Sequence, residues 1–170
     1  MYSHCLYPFK SATDASLSFL ALGANVTAHY NSNSTPIEIL QDSFSALQSV
    51  QADLSSESAV KRMFEALSGS FHGPVAVVVV NHGIWLPDNV PIVDMTIEQW
   101  DHTINANLTS SFLVCREYLR QLRAAADDVK DKASIVLIGS TAGKYGEAYH
   151  GDYATSKSGG YIGSTLSTPH

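Results

Sequence analysis

Val75-Ala76-Val77-Val78-Val79-Val80-Asn81-His82-Gly83 is the stretch that decides the fold. Its first six residues are small or β-branched and apolar, with no alternation of apolar and polar side chains. A strand of that composition must be covered on both faces, as strands are in a parallel sheet flanked by helices. The run halts at Asn81-His82-Gly83, a polar, glycine-containing exit of the kind that leads off a strand end.

The segments on either side alternate between strand-like and helix-like. Upstream, Ser11 to Leu22 spaces Ala12, Ala15, Phe19 and Leu22 by three and four, and Gly23 ends that helix. Ala24 to Tyr30 reads as a strand. Thr35, Pro36 and Glu38 form a capping box with proline at the first helical position, and Ile37, Leu40, Phe44 and Leu47 make the stripe of the helix that follows. Ser49 to Ala52 is a short strand ending at Asp53. The next helix carries Val60, Met63, Phe64 and Leu67 on one face. Downstream, Thr96 and Gln99 make a second capping box. Leu108, Phe112, Cys115, Leu119 and Leu122 then trace a helical stripe, Ser134 to Ile138 is a buried strand, and a last helix begins near Tyr153. Repeated strand–helix units with two-sided burial predict an α/β fold, a Rossmann-like doubly wound parallel sheet. Ligands of such sheets sit at the carboxyl ends of the strands, where Asp53, Asn81, Gly83 and Ser140 fall.

Composition excludes several function classes. The chain has 170 residues, one domain's worth, with 45% hydrophobic content and a formal charge of -6. Mean hydropathy is near zero, as in ordinary globular proteins. No Lys/Arg cluster points to nucleic acid. Cys5 and Cys115 are the only cysteines, and the seven histidines lack H-x-x-x-H spacing, so neither disulfides nor a metal site is expected. The run Val75–Val80 is too short to span a bilayer, and the first ten residues do not read as a signal peptide. A soluble, cytoplasmic protein without membrane partners is the expectation.

Tyr153-Ala154-Thr155-Ser156-Lys157 places a phenol and an ammonium on one helix face. Alone, such a pair reads as an ordinary surface pair. Ser140, in Ile138-Gly139-Ser140-Thr141-Ala142-Gly143, lies thirteen positions earlier at a strand end, where a serine bonded to backbone is also common. A serine followed at this separation by Tyr-x-x-x-Lys resembles the short-chain dehydrogenase/reductases, in a general way their 3-oxoacyl-carrier-protein reductase branch. Asn107, in Trp100-Asp101-His102-Thr103-Ile104-Asn105-Ala106-Asn107-Leu108, resembles that family's fourth catalytic residue. Asn81-His82-Gly83 stands where the family has N-A-G, with histidine in place of alanine. Asp53-Leu54 falls where the family contacts the adenine amine, although Asp53 reads equally as a charge at a helix N-terminus. The resemblance covers roughly residues 12 to 166.

The resemblance implies an NAD(P)-dependent oxidoreductase that interconverts a small-molecule alcohol and a carbonyl. Tyr153 would be its acid/base and Lys157 its tuning ammonium and ribose ligand. Ser140 would orient the carbonyl, and Asn107 would position a water linking Lys157 to solvent. Asp53, Leu54, Asn81, Gly83, Tyr153 and Lys157 would contact the cofactor. The chemistry suits the residue types: an unaided phenol, with a pKa of about 10, is a weak acid, and a neighbouring cation favours its ionised form. NADP is favoured over NAD, because His29 to Asn33 contain no carboxylate for the ribose hydroxyls. The family's homo-oligomers are built with the helix 107–123 and the catalytic helix.

Two departures argue for a single partial NAD(P)-binding domain over residues 1–170, truncated at both ends. The family's T-G-x-x-x-G-x-G loop should place glycines near Leu6, Lys10 and Ala12, yet no glycine precedes Gly23, and Pro8 sits within the turn. The first strand, Met1 to Leu6, is poor, and the family's C-terminal strands and substrate loop have no counterpart after Lys157. Substrate identity is therefore out of reach. A catalytically inactive fragment that at most associates with full-length partners is the alternative to an enzyme. A different nucleotide-binding α/β protein, such as a methyltransferase-like domain, is disfavoured by the Ser140/Tyr153/Lys157 spacing.

Overall fold

The computed structural model describes residues 2–3, 10–69 and 73–163; for 2–3, 10–14 and 161–163 only the backbone is described. Among the described residues, five parallel strands form one sheet in the order β3-β2-β1-β4-β5. They are β1 (Tyr2–Ser3), β2 (Val26–Tyr30), β3 (Leu47–Gln51), β4 (Val77–Val80) and β5 (Ser134–Leu137). The helices are α1 (Lys10–Ala21), α2 (Thr35–Gln41), α3 (Glu57–Ser68), α4 (Ile97–Ile104), α5 (Ser110–Ala124), α6 (Asp127–Lys130), α7 (Thr141–Tyr145) and α8 (Gly151–Gly163), with a π-turn, Asn105–Thr109, between α4 and α5. The doubly wound α/β expectation holds. The poor first strand is real but pairs: two residues long, it joins β2 through Tyr2↔Ala28 and β4 through Tyr2↔Val79. Two of the expected glycine positions, Lys10 and Ala12, lie in the first turn of α1; Leu6 and Pro8 fall outside the described residues.

The valine run splits its side chains between two cores, as the two-sided reading requires. Val78 and Val80 enter a cluster with Val60, Phe64, Leu113 and Tyr118 from α3 and α5. Val79 packs on the opposite face with Val26, Ala28, Ile37 and Leu47, under α1 and α2. α1 closes with a Schellman motif: Gly23 takes φ +77°, its N–H donates to Leu20 O, and Ala24 N–H donates to Phe19 O. The predicted stripe of α3 is buried in full.

Several expectations need correction. Leu22 lies beyond the end of α1 and is 82% exposed, and Leu20 packs on the core instead. Leu47 is not on α2, which ends at Gln41, but opens β3, where it still joins the same core. The α2 N-cap is Ser34 rather than Thr35, and the Thr35 N–H donates to Asn33 Oδ1 at 3.1 Å. The largest shift is in α5. Phe112 is 54% exposed while Leu113, Val114 and Tyr118 are buried. The rest of the stripe holds, with Cys115 buried and Leu119 and Leu122 packed against the core; the π-turn adds a residue to the turn just before Phe112, where the constant period fails. The second capping box is present at its N-cap, where Thr96 Oγ1 accepts from Gln99 N–H at 3.2 Å.

α7 and α8 meet at unusually close range. A Cβ on Gly143 would stand 2.7 Å from the Lys157 carbonyl carbon and 2.8 Å from its oxygen. Gly159 is similarly tight, with Leu108 at 2.8 Å, so this helical glycine lets α8 lie against the π-turn. Gly160 meets nothing within 4 Å. Among the described residues, no helix is long and apolar enough to cross a membrane. Gly143→Ala must push backbone off backbone and is expected to lower stability by about 1–3 kcal/mol. Gly160→Ala relieves a helix-interior glycine in open space and should raise stability by about 1 kcal/mol. Urea midpoints of the two variants should therefore move in opposite directions.

Candidate active site

Four elements bring the site together at the carboxyl ends of β4 and β5. The chain leaves β4 through buried Asn81, His82 and Gly83. The π-turn then delivers Asn107, 4% exposed, against that exit. Asn107 Oδ1 accepts from Ile84 N–H at 2.6 Å, and its Nδ2 donates to Ile84 O at 2.9 Å and to Ser156 Oγ at 3.0 Å. A mid-helix asparagine thus has the partners that such a poor interior helix residue needs.

Lys157 comes to the same place from α8. Its Nζ donates to Ile138 O at 3.4 Å, just past the end of β5. A Cβ on Gly83 would lie 3.3 Å from that Nζ and 3.1 Å from Asn107 Oδ1. Gly83, Asn107 and Lys157 therefore converge, and the lack of a side chain at 83 gives the ammonium its room. Tyr153 sits one turn earlier on α8, its ring centroid 6.0 Å from Lys157 Nζ. Ser140 caps α7, its hydroxyl accepting from Ala142 N–H at 3.2 Å. It is held near α8 by the Gly143 contact and by the Ser158 hydroxyl, which donates to Gly143 O at 2.6 Å.

Asp53 and Leu54 lie apart from this group, on the wall of a cavity of about 550 Å³. The cavity opens beyond β2, β3 and β4, and Asn31, Asn33, His82, Gly83, His102 and Ala106 also line it. Gly83 is the residue shared by the cavity and the Lys157 cluster. Asp53 is exposed, and its Oδ1 accepts from both the N–H and the hydroxyl of Ser55, at 2.9 and 2.6 Å. That turn precedes α3, whose N-cap is Ser56 and whose first-turn acid is Glu57, so Asp53 lies ahead of the helix end as well as on the cavity wall.

Several polar residues were not singled out by the sequence. Asp152 is 2% exposed, and its Oδ2 accepts from the Thr103 hydroxyl at 2.7 Å and from Gln99 Nε2 at 3.3 Å. Asp152 and Ser156 thus clip one side of α8 to α4 and the π-turn, while Tyr153 and Lys157, each one residue later, occupy the adjacent side. Adjacency to Tyr153 was the sole signal for Asp152. His82 is held neutral: burial, then His29, then Lys157 pull its pKa down to about 3. Burial pushes the Cys115 thiol up to about 11, which makes it an inert core residue. Among the described residues, no cluster of three or more His, Cys, Asp or Glu could hold a metal ion.

Comparison with known proteins identifies the family. The short chain dehydrogenase family profile matches residues 12–165. The chain is 33% identical over 108 residues to a chloroplastic NADPH-dependent aldehyde reductase-like protein of Arabidopsis thaliana, covering 64% of this chain and 38% of that protein. It is 34% identical over 111 residues to the 3-oxoacyl-[acyl-carrier-protein] reductase MabA of Mycobacterium bovis, covering 65% and 41%. A 3beta-hydroxysteroid dehydrogenase of Eggerthella lenta is 32% identical over 153 residues, covering 87% and 56%. The chain thus spans between 38% and 56% of the length of these relatives. A crystal structure of a short chain dehydrogenase from Mycobacterium smegmatis matches with a TM-score of 0.79 at 25% identity, over 95% of this chain and 65% of that one. With a profile match over residues 12–165 and a parallel sheet in the order β3-β2-β1-β4-β5, this chain belongs to the short chain dehydrogenase family.

Proposed function

We propose that the chain carries the catalytic centre of an NAD(P)-dependent oxidoreductase that interconverts a small-molecule alcohol and a carbonyl. The observation that carries this reading is the convergence of Lys157 Nζ and Asn107 Oδ1 on Gly83, with Tyr153 one helical turn away on the face of α8 that holds Lys157.

The cavity supports the cofactor half of the proposal. Its wall beyond β2 offers the amides and hydroxyl of Asn31, Ser32 and Asn33, and Asp53 and Leu54 stand beyond β3. Such neutral hydrogen-bonding groups suit the ribose and purine of a dinucleotide bound at the strand ends. Gly83 lets the cavity communicate with Lys157. A nicotinamide cofactor, when bound, would supply or accept the hydride.

The protein's own groups handle the proton and the charge. In the reducing direction Tyr153 donates its phenolic proton to the carbonyl oxygen as carbon gains the hydride, yielding the alcohol. Ser140 orients the carbonyl and stabilises the negative charge growing on oxygen. Lys157 favours the phenolate left on Tyr153 and would hold the nicotinamide ribose of a bound cofactor. Asn107 positions a water through which Lys157 communicates with solvent, and Tyr153 regains its proton along that route. The oxidising direction reverses each step. NADP is the favoured cofactor, because no carboxylate on the β2 side of the cavity would repel a 2′-phosphate.

Titrating the purified chain with NADPH, followed by nicotinamide fluorescence, should give saturable binding. A flat response would sink the proposal and favour an inactive chain that at most associates with full-length relatives, a reading motivated by the absence of glycine at positions 6, 10 and 12. Tyr153→Phe should keep NADPH binding and lose turnover by about 10²–10⁴-fold; undiminished turnover would remove Tyr153 from the acid/base role. Asn31→Asp should weaken NADPH at least about tenfold, roughly 1.4 kcal/mol, relative to NADH, and unchanged preference would place the 2′-phosphate elsewhere.

A further inference from the structure

His82 stands where the family resemblance has alanine, 7% exposed between the end of β4 and α5. Its Nε2 lies 2.5 Å from Ser110 Oγ. The Ser110 hydroxyl has one hydrogen and donates it to Ala106 O at 2.7 Å. A carbonyl oxygen cannot donate in return, so the hydrogen between His82 and Ser110 must come from the ring. The imidazole is therefore the tautomer protonated at Nε2, and the direction of the relay is fixed: His82 Nε2–H to Ser110 Oγ, and Ser110 Oγ–H to Ala106 O.

Ala106 is the second residue of the π-turn. There Ser110 N–H reaches back five residues to Asn105 O rather than four. A widened turn disturbs the ordinary ladder, and side-chain hydroxyls take up two of its carbonyls. Ser110 bonds Ala106 O, and Ser111 bonds Asn107 O at 2.6 Å. Between those two carbonyls the turn projects the Asn107 carboxamide onto Ile84 and Ser156.

We propose that His82 is a positioning residue for Asn107: by donating to Ser110 it commits the serine hydroxyl to Ala106 O and so holds the π-turn in the register that aims Asn107 at Ile84. His82 acts through Ser110 and the backbone and touches no reacting atom. The relay is a property of the folded chain; only its bearing on turnover rests on the oxidoreductase reading. Because His82 and Ala106 both line the cavity, the same relay also sets the shape of that wall.

The Ile84 amide reports Asn107 directly, since it donates to Asn107 Oδ1 at 2.6 Å. Amide hydrogen exchange, followed residue by residue by NMR on the full chain, therefore tests the relay without cofactor or substrate. His82→Ala and Ser110→Ala should each speed Ile84 exchange by about tenfold, the worth of one net hydrogen bond. Amides of the β2–β3 ladder should be unchanged. The double variant should match the single ones, because both cut one relay. His82→Gln, whose amide can donate at the same reach, should restore slow exchange. Unchanged Ile84 exchange in Ser110→Ala, failure of His82→Gln to restore it, or acceleration spread evenly over the sheet would each overturn the proposal. If His82→Ala does not fold, Ser110→Ala and His82→Gln decide the matter. NADPH takes no part, so a failed titration and a failed relay are separate outcomes.

Discussion

The Asn107 carboxamide is the constraint on which the site depends. Three of its hydrogen bonds tie the exit of β4, through Ile84, to α8, through Ser156, and Asn107 itself rides on the turn joining α4 to α5. Each such bond contributes only about 0.5–1.5 kcal/mol net, but leaving a buried amide without partners costs about 1–3 kcal/mol. The asymmetry makes the arrangement specific. A displacement of α8 relative to β4 would strand polar groups at 4% exposure, so α8 has one acceptable position.

Asp152 extends the same logic along α8. Its carboxylate is buried to 2% exposure and held by Thr103 and Gln99, so the helix is fastened at two points one turn apart. Tyr153 and Lys157 follow these anchors by one residue each. The placement of the proposed pair, Tyr153 and Lys157, is therefore set by the neighbouring anchors Asp152 and Ser156. Gly159 lies on that same side, tight against Leu108 of the π-turn, while Gly143 of α7 presses on the backbone of α8 at Lys157, contacts that a larger residue at either position would prevent. The cost of helix-interior glycine, about 1 kcal/mol each, is offset at Gly159 by close packing on Leu108.

Periodicity and spacing were legible wherever the causes were local. The valine run, the α3 stripe, the Gly23 stop and the Thr96 cap all express backbone preferences within a few residues. Tyr-x-x-x-Lys was legible for the same reason, because a spacing of four fixes a shared face. What escaped was non-local. Gln99, Thr103 and Ser156 find partners some fifty positions away, and no pattern in the sequence pairs them. The π-turn is the instructive case. Counting at a constant period from Leu108 put Phe112 in the core with Cys115, Leu119 and Leu122; of those four only Phe112 faces out, and Leu113 and Val114 turn inward beside it. That insertion accompanies Asn107's long-range pairing with Ile84, which a window of helical spacing cannot see.

Burial of His82 also bears on the charge balance around Lys157. An imidazole pulled down to about 3 is uncharged throughout the neutral range, and Lys157 is itself among the causes of that depression. Protonating His82 would place a second cation near the ammonium with little water to screen it. Neutrality also fixes the hydrogen-bonding role, since the remaining ring hydrogen must sit on the nitrogen facing Ser110. The histidine that departs from the family's pattern thus leaves the cation undisturbed while bracing the turn that carries Asn107. Both properties follow from one circumstance: the ring is sealed between β4 and α5, where a proton is costly and a hydrogen-bond acceptor is near.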